Sequence, residues 1–179
     1  VRRAMEIFPF PDIEWAVSHL LARSGKEARR IDHGRGADWN VVHTGALSAD
    51  GRYLAAGFIG GDLSVFDLSN GQTVFRTSDR KLAAPLVALS ADGTLLTVAD
   101  AGRVPGEVRL WRWQENSPPE VFSVHPGGVT ALAFAPNGRQ LAIAGLANAE
   151  PSARSQEIWL WDVSQHAVMH TITGFAGLK

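Results

Sequence analysis

A chain of 179 residues has room for one domain, or for a short segment plus one domain, and 45% hydrophobic with 20% charged residues supplies a packed core, which excludes a disordered chain. Seventeen basic residues against eighteen acidic ones give a net charge of −1, so no global field is present to hold nucleic acid or an anionic membrane. The absence of cysteine excludes disulfides, thiolate metal sites and a cysteine nucleophile.

The N-terminal stretch from Val1-Arg2-Arg3 to Phe8-Pro9-Phe10-Pro11 lacks the continuous apolar run of a secretory signal. No segment approaches the roughly 20 apolar residues of a membrane-spanning helix. The expected compartment is the cytoplasm, and a start on Val1 is expected of a piece of a longer chain or of an unusual start. Asp12 to Gly25 reads as a short helix, with Asp12 as N-cap, Gly25 just past the end, and Ile13, Val17, Leu20 and Leu21 on one face. Residues 1–26 are therefore assigned to a helical lead-in, followed by a candidate outer strand over Glu27 to Ile31.

From there the chain repeats. Ser48-Ala49-Asp50-Gly51, Ser90-Ala91-Asp92-Gly93 and Ala135-Pro136-Asn137-Gly138 are one turn written three times, with glycines 42 and 45 residues apart. Asp-Gly or Asn-Gly between apolar runs predicts a tight hairpin, because Gly takes positive φ at little cost and the Asp or Asn side chain caps the turn. Each turn is preceded by a candidate strand (Gly45–Leu47, Leu86–Leu89, Val129–Phe134) and followed by another (Tyr53–Gly57, Leu95–Ala99, Leu141–Gly145). A third strand then carries an aromatic signature: Leu63-Ser64-Val65-Phe66-Asp67, Val108-Arg109-Leu110-Trp111-Arg112 and Ile158-Trp159-Leu160-Trp161-Asp162. A fourth follows at Thr73–Arg76, Glu120–Ser123 and Val168–Ile172. Several runs are apolar on both faces, as expected of sheets covered on both sides by neighbouring sheets.

The period, the turn and the aromatic-Asp pair resemble the WD-repeat family, whose units of about 40–45 residues each build one four-stranded propeller blade. Trp161-Asp162 matches the family dipeptide, Phe66-Asp67 changes the ring and Trp111-Arg112 loses the acid. The Gly-His that commonly opens a repeat is present only as His125 after Val124 and as Asp32-His33-Gly34. The resemblance implies an all-β propeller of four-stranded antiparallel blades, divided at about 27–78, 79–124 and 125–174, with a further repeat starting over 175–179. Residues 27–179 then amount to about three and a half blades, whereas closed propellers need about four to eight. The ring is expected to be incomplete, its remaining blades supplied by the same chain or its open faces covered by self-association.

Catalytic and phosphate-binding motifs are missing: there is no Gly-x-Ser-x-Gly elbow, and the glycines at Gly34, Gly36, Gly57, Gly60 and Gly61 lack the Lys and the helix of a phosphate loop. His166 and His170 fall in a predicted turn and strand, where four residues span about 13 Å, too far to share one ion. Neither a cofactor nor a metal is expected. By the resemblance His125 has a structural role at a repeat opening, and Trp111, Trp159 and Trp161 are blade-packing rings. Trp39 and Trp113 read either as exposed interface aromatics or as partly buried packing groups. The segment between the second and third strands lengthens from repeat to repeat, from Phe58–Asp62 to Asp100–Glu107 to Leu146–Gln156. In the family these loops share one face with the inter-blade loops, so that face is the candidate surface for a protein or peptide partner, with Arg103 and Arg154 as charged anchors and Trp39 beside them. The expected function is a non-catalytic interaction scaffold. The alternatives are a regulatory or sensor array within a larger kinase or protease fusion, and a propeller hydrolase whose active residues lie in other blades.

Overall fold

The computed structural model describes residues 41–101, 103–115, 117–148 and 155–175, all within the compact unit Ala37–Lys179. The helix expected over Asp12 to Gly25 and the strand expected over Glu27 to Ile31 lie outside the described residues.

Among the described residues, twelve strands form three four-stranded antiparallel sheets, each with its strands in sequence order. The first sheet contains β1 (Val42–Leu47), β2 (Tyr53–Phe58), β3 (Asp62–Asp67) and β4 (Gln72–Ser78). The second contains β5 (Pro85–Leu89), β6 (Leu95–Asp100), β7 (Glu107–Arg112) and β8 (Glu120–Ser123), with a single 3₁₀ turn at Trp113–Glu115 between its last two strands. The third contains β9 (Val129–Phe134), β10 (Gln140–Leu146), β11 (Gln156–Asp162) and β12 (Ala167–Phe175). Antiparallel pairing of consecutive strands follows from the short connections, since a parallel pair needs a crossover of a dozen or more residues.

The sheets are arranged like the leaves of a fan. Their first strands run side by side, β1 next to β5 and β5 next to β9. Thr44 on β1 stitches the first pair: its Oγ1 donates to the Pro85 carbonyl at 2.9 Å and accepts from the Val87 N–H at 3.1 Å. Two apolar layers fill the wedges. Ala55, Leu63 and Val65 meet Val87, Leu89, Leu96, Val98, Trp111 and Trp113 between the first and second sheets. Ala99, Val108, Leu110 and Val124 meet Val129, Leu141, Ile143 and Trp161 between the second and third. Full burial of one such Val or Leu side chain contributes about 1.5–3 kcal/mol, and the middle sheet draws on both layers. That explains the strands apolar on both faces: β6 places Leu96 and Val98 in one layer and Ala99 in the other.

The third sheet differs, because its side chains alternate between a covered and an open face. Trp161 and Ile143 point into the core, whereas Ala131 and Ala133 are exposed and Ala142, Ala144, Ile158 and Leu160 are half-buried. Ile172, opposite Ile158 in the register, is 45% exposed.

Candidate protein-interaction surface

The repeated turns form one end of the fan. Gly51, Gly93 and Gly138 all take positive φ, at 70°, 74° and 67°, and each N–H donates 2.9 Å back to the residue three before it. In the first turn Asp50 Oδ1 accepts from the Ser48 hydroxyl at 2.6 Å and from the Arg52 N–H at 2.9 Å. The second turn repeats this with Ser90, Asp92 and Thr94. The third has Ala135 in place of the serine, so Asn137 Oδ1 accepts only the Arg139 N–H, at 2.9 Å, among the described contacts. Hydrogen bonds from their serines and from backbone N–H groups hold the Asp50 and Asp92 carboxyls below the usual carboxylate range.

The aromatic-Asp pairs end the third strands at the same end. Asp67 accepts from the Ser69 N–H and hydroxyl and from Arg52 at 3.1 Å; Asp162 accepts from Ser164 and from the Gln165 N–H at 2.8 Å. Both carboxyls are lowered, the serine hydroxyl in the next turn being the largest cause for each. Arg112 in the middle repeat pairs instead with Glu120. Phe66, Trp111 and Trp161 are all buried, and Trp161 stacks on Phe122 with centroids 4.6 Å apart. These residues build and terminate strands rather than meeting a ligand.

Loops of all three sheets are knitted together at the opposite end. The Gly60 N–H donates to the Ala83 carbonyl and the Ala101 N–H to the Ala84 carbonyl, at 3.1 and 2.9 Å. Gly106 and His125 join the next loops, and Gly127 and Leu146 the last, at 2.9 and 3.0 Å. His125 is fully buried there, its Nε2 at 2.9 Å from the Ile143 carbonyl and its ring 4.3 Å from that of Trp159. Trp113 resolves to packing: it is 7% exposed, and its Nε1–H donates to the Gly93 carbonyl at 2.7 Å.

At this loop end, among the described residues, the carboxylates are engaged and the exposed charges are cationic. Arg109, on β7, is 8% exposed and pairs with Asp79 of the inter-sheet loop and with Glu107. Burial lowers its pKa from the ordinary guanidinium value, while the two carboxylates favour the charged form. Asp100 is buried and accepts from the Ala84 N–H at 2.8 Å. Arg80 and Lys81 are exposed, and Arg103, half-buried, reaches the Lys81 carbonyl at 3.4 Å. Ile59 and Val104 beside them are 41% and 53% exposed. Of the anchors expected from sequence, Arg103 is on this surface, and Trp39 and Arg154 lie outside the described residues. Arg109 was not singled out by sequence reasoning. Its signal is a charge between the buried Val108 and Leu110, where the first repeat has Ser64 between Leu63 and Val65.

No group of three or more His, Asp or Glu suited to a metal ion is present among the described residues, nor does any described helix have the length and apolarity to cross a membrane. No family model matches the chain. Transducin beta-like protein 3 of Rattus norvegicus and of Mus musculus are each 26% identical over 148 residues, 79% of this chain and 17% of theirs. The crystal structure of RRP9 WD40 repeats superposes with a TM-score of 0.63 at 17% identity, over 79% of this chain and 41% of that one. The structure of U3-55K does so with a TM-score of 0.61 at 17% identity and 42% of its chain. The three sheets share the four-stranded blade fold of these WD40 propellers. The blades described here correspond to less than half of those propellers, and the chain spans about a sixth of the length of its curated relatives.

Proposed function

We propose that this chain works as a non-catalytic interaction module, with the loop end of the blades as its contact surface for a protein or peptide partner. The observation that carries the reading is the combination at that end of a hydrogen-bonded loop frame, engaged carboxylates, and the exposed or half-exposed cations Arg80, Lys81 and Arg103 beside Ile59 and Val104. A frame tied by backbone bonds presents side chains with little ordering cost on binding, and cations next to apolar groups suit a partner segment of acidic and apolar residues. Arg103 is the central anchor, and Arg154 and Trp39 are assigned to the same role by their positions in the sequence. Charge reversal at Arg103 is expected to weaken a partner captured by pull-down about tenfold while leaving the melting temperature unchanged. Undiminished capture, or a loss of stability equal to the loss of binding, contradicts the assignment.

The open face of the third blade supports a second contact, with a further blade or with a second copy of the chain, since its apolar pattern matches the covered faces of the other two.

A further inference from the structure

A concavity lies away from the loop end. Where the first and second blades meet near their tight turns, an open cleft of about 620 Å³ is bounded by the end of β3, by β4 and by the 3₁₀ turn after β7. The volume lies within the range of about 300–1,000 Å³ typical of ligand sites. Its wall is aromatic and fixed: Trp113 is held by its bond to the Gly93 carbonyl, Tyr53 meets it edge-on with centroids 5.3 Å apart, and Phe75 tilts toward it at 6.3 Å. At the junction of the second and third blades, by contrast, Phe122 and Trp161 stack face to face.

The rim is cationic. Arg52 sits 4.9 Å above the Tyr53 ring with its side chain 54% exposed, and Arg76, on β4, is 52% exposed. The one carboxylate lining the cleft, Asp67, is buried and already accepts from Ser69 and Arg52. Arg76 lies 4.0 Å from Asp62, at the limit of an ion pair, and is the guanidinium best able to turn toward an incoming anion. Val74 beside it is 43% exposed.

We propose that this cleft binds a peptide segment of a partner protein that carries an aliphatic or aromatic side chain next to a carboxylate. The apolar side chain lies against the half-buried rings of Tyr53 and Phe75, which the buried Trp113 backs, and removes their surface from water. The carboxylate meets Arg76, with Arg52 as a second donor, in the planar geometry that guanidinium and carboxylate share. The contact is separate from the loop end, so one propeller segment would hold two points of one partner, or two partners.

The test is fluorescence anisotropy of the labelled peptide acetyl-Glu-Phe-Glu-Leu-Glu-amide titrated with the full 179-residue chain. The expected result is a saturable isotherm with Kd below about 1 mM. Arg76→Glu should weaken it at least about tenfold, Arg76→Lys less, and Arg139→Glu, the same charge change in the exposed turn of the third blade, not at all. A circular-dichroism melt accompanies each variant, and Arg76→Gln replaces Arg76→Glu if the reversal unfolds the chain. The proposal is overturned if no saturable binding is found, if the lysine counterpart of the peptide binds equally, if inorganic phosphate displaces the peptide at equal concentration, or if no Arg76 variant changes the affinity. A change with Arg103→Glu alone places the peptide at the loop end and overturns it too.

Discussion

Four aspartates, Asp50, Asp67, Asp92 and Asp162, each fasten a turn by accepting from a serine hydroxyl and a backbone N–H two residues away or closer. Every one is held below the ordinary carboxylate value of 3.8. A carboxyl with a lowered folded-state pKa contributes stability that is present above that ordinary value and is lost as pH falls through the folded one. Thermal stability measured against pH should therefore show a decline beginning below about pH 4. Ser90 is fully buried; its hydroxyl donates to Asp92 and accepts from the Leu95 N–H at 2.9 Å. Ser90→Ala should cost about 1 kcal/mol and return Asp92 toward its ordinary value, which reduces the acid decline; an unchanged acid limb in this variant contradicts the assignment.

At the scale of the element, the hairpins and strands were legible because their signals are local. Asp-Gly and Asn-Gly at positions 50–51, 92–93 and 137–138 mark the positive-φ glycines, and the fourth strands expected at Thr73–Arg76, Glu120–Ser123 and Val168–Ile172 coincide with β4, β8 and β12. The Arg109 bridge and the Arg76 cleft were not legible, since each joins residues far apart along the chain and the sequence carries no pairing information across such a distance. Asp79 and Arg109 meet through folding alone. The exposure of Trp113 was undecided for the same reason: its partner, the Gly93 carbonyl, belongs to a distant turn. The joint between the second and third blades depends on a missing side chain. A Cβ at Gly145 would come within 2.5 Å of the His125 ring and of the Gly128 carbonyl oxygen, and neither can retreat, because His125 is fully buried. Gly145→Ala is thus expected to destabilise the chain by about 1–3 kcal/mol, read as a lowered denaturation midpoint, while Gly60→Ala, with open space around it, costs only the strain of its positive φ. Equal effects would mean that the joint is not tightly packed.

For the whole molecule, the middle blade is covered on both faces and the third on one. Ala131, Ala133, Ile158, Leu160 and Ile172 leave an apolar sheet face in contact with water, which favours pairing with any surface of like shape. The 179-residue chain should elute above its monomer mass of 19.3 kDa and bind a dye for exposed apolar surface, and Leu160→Glu should reduce both. A monodisperse monomer without dye binding would show that this face has no need of a partner.

The central claim, that the loop end receives a protein partner, is tested most directly by site-specific photo-crosslinking. A benzophenone side chain is placed at Arg80 or Arg103 on the loop end, and at Gln165 in the exposed turn after β11 at the other end. The account predicts a discrete protein adduct from positions 80 and 103, absent from position 165 and diminished when Lys81→Glu is added. Adducts of equal yield from all three positions, or from position 165 alone, would contradict it.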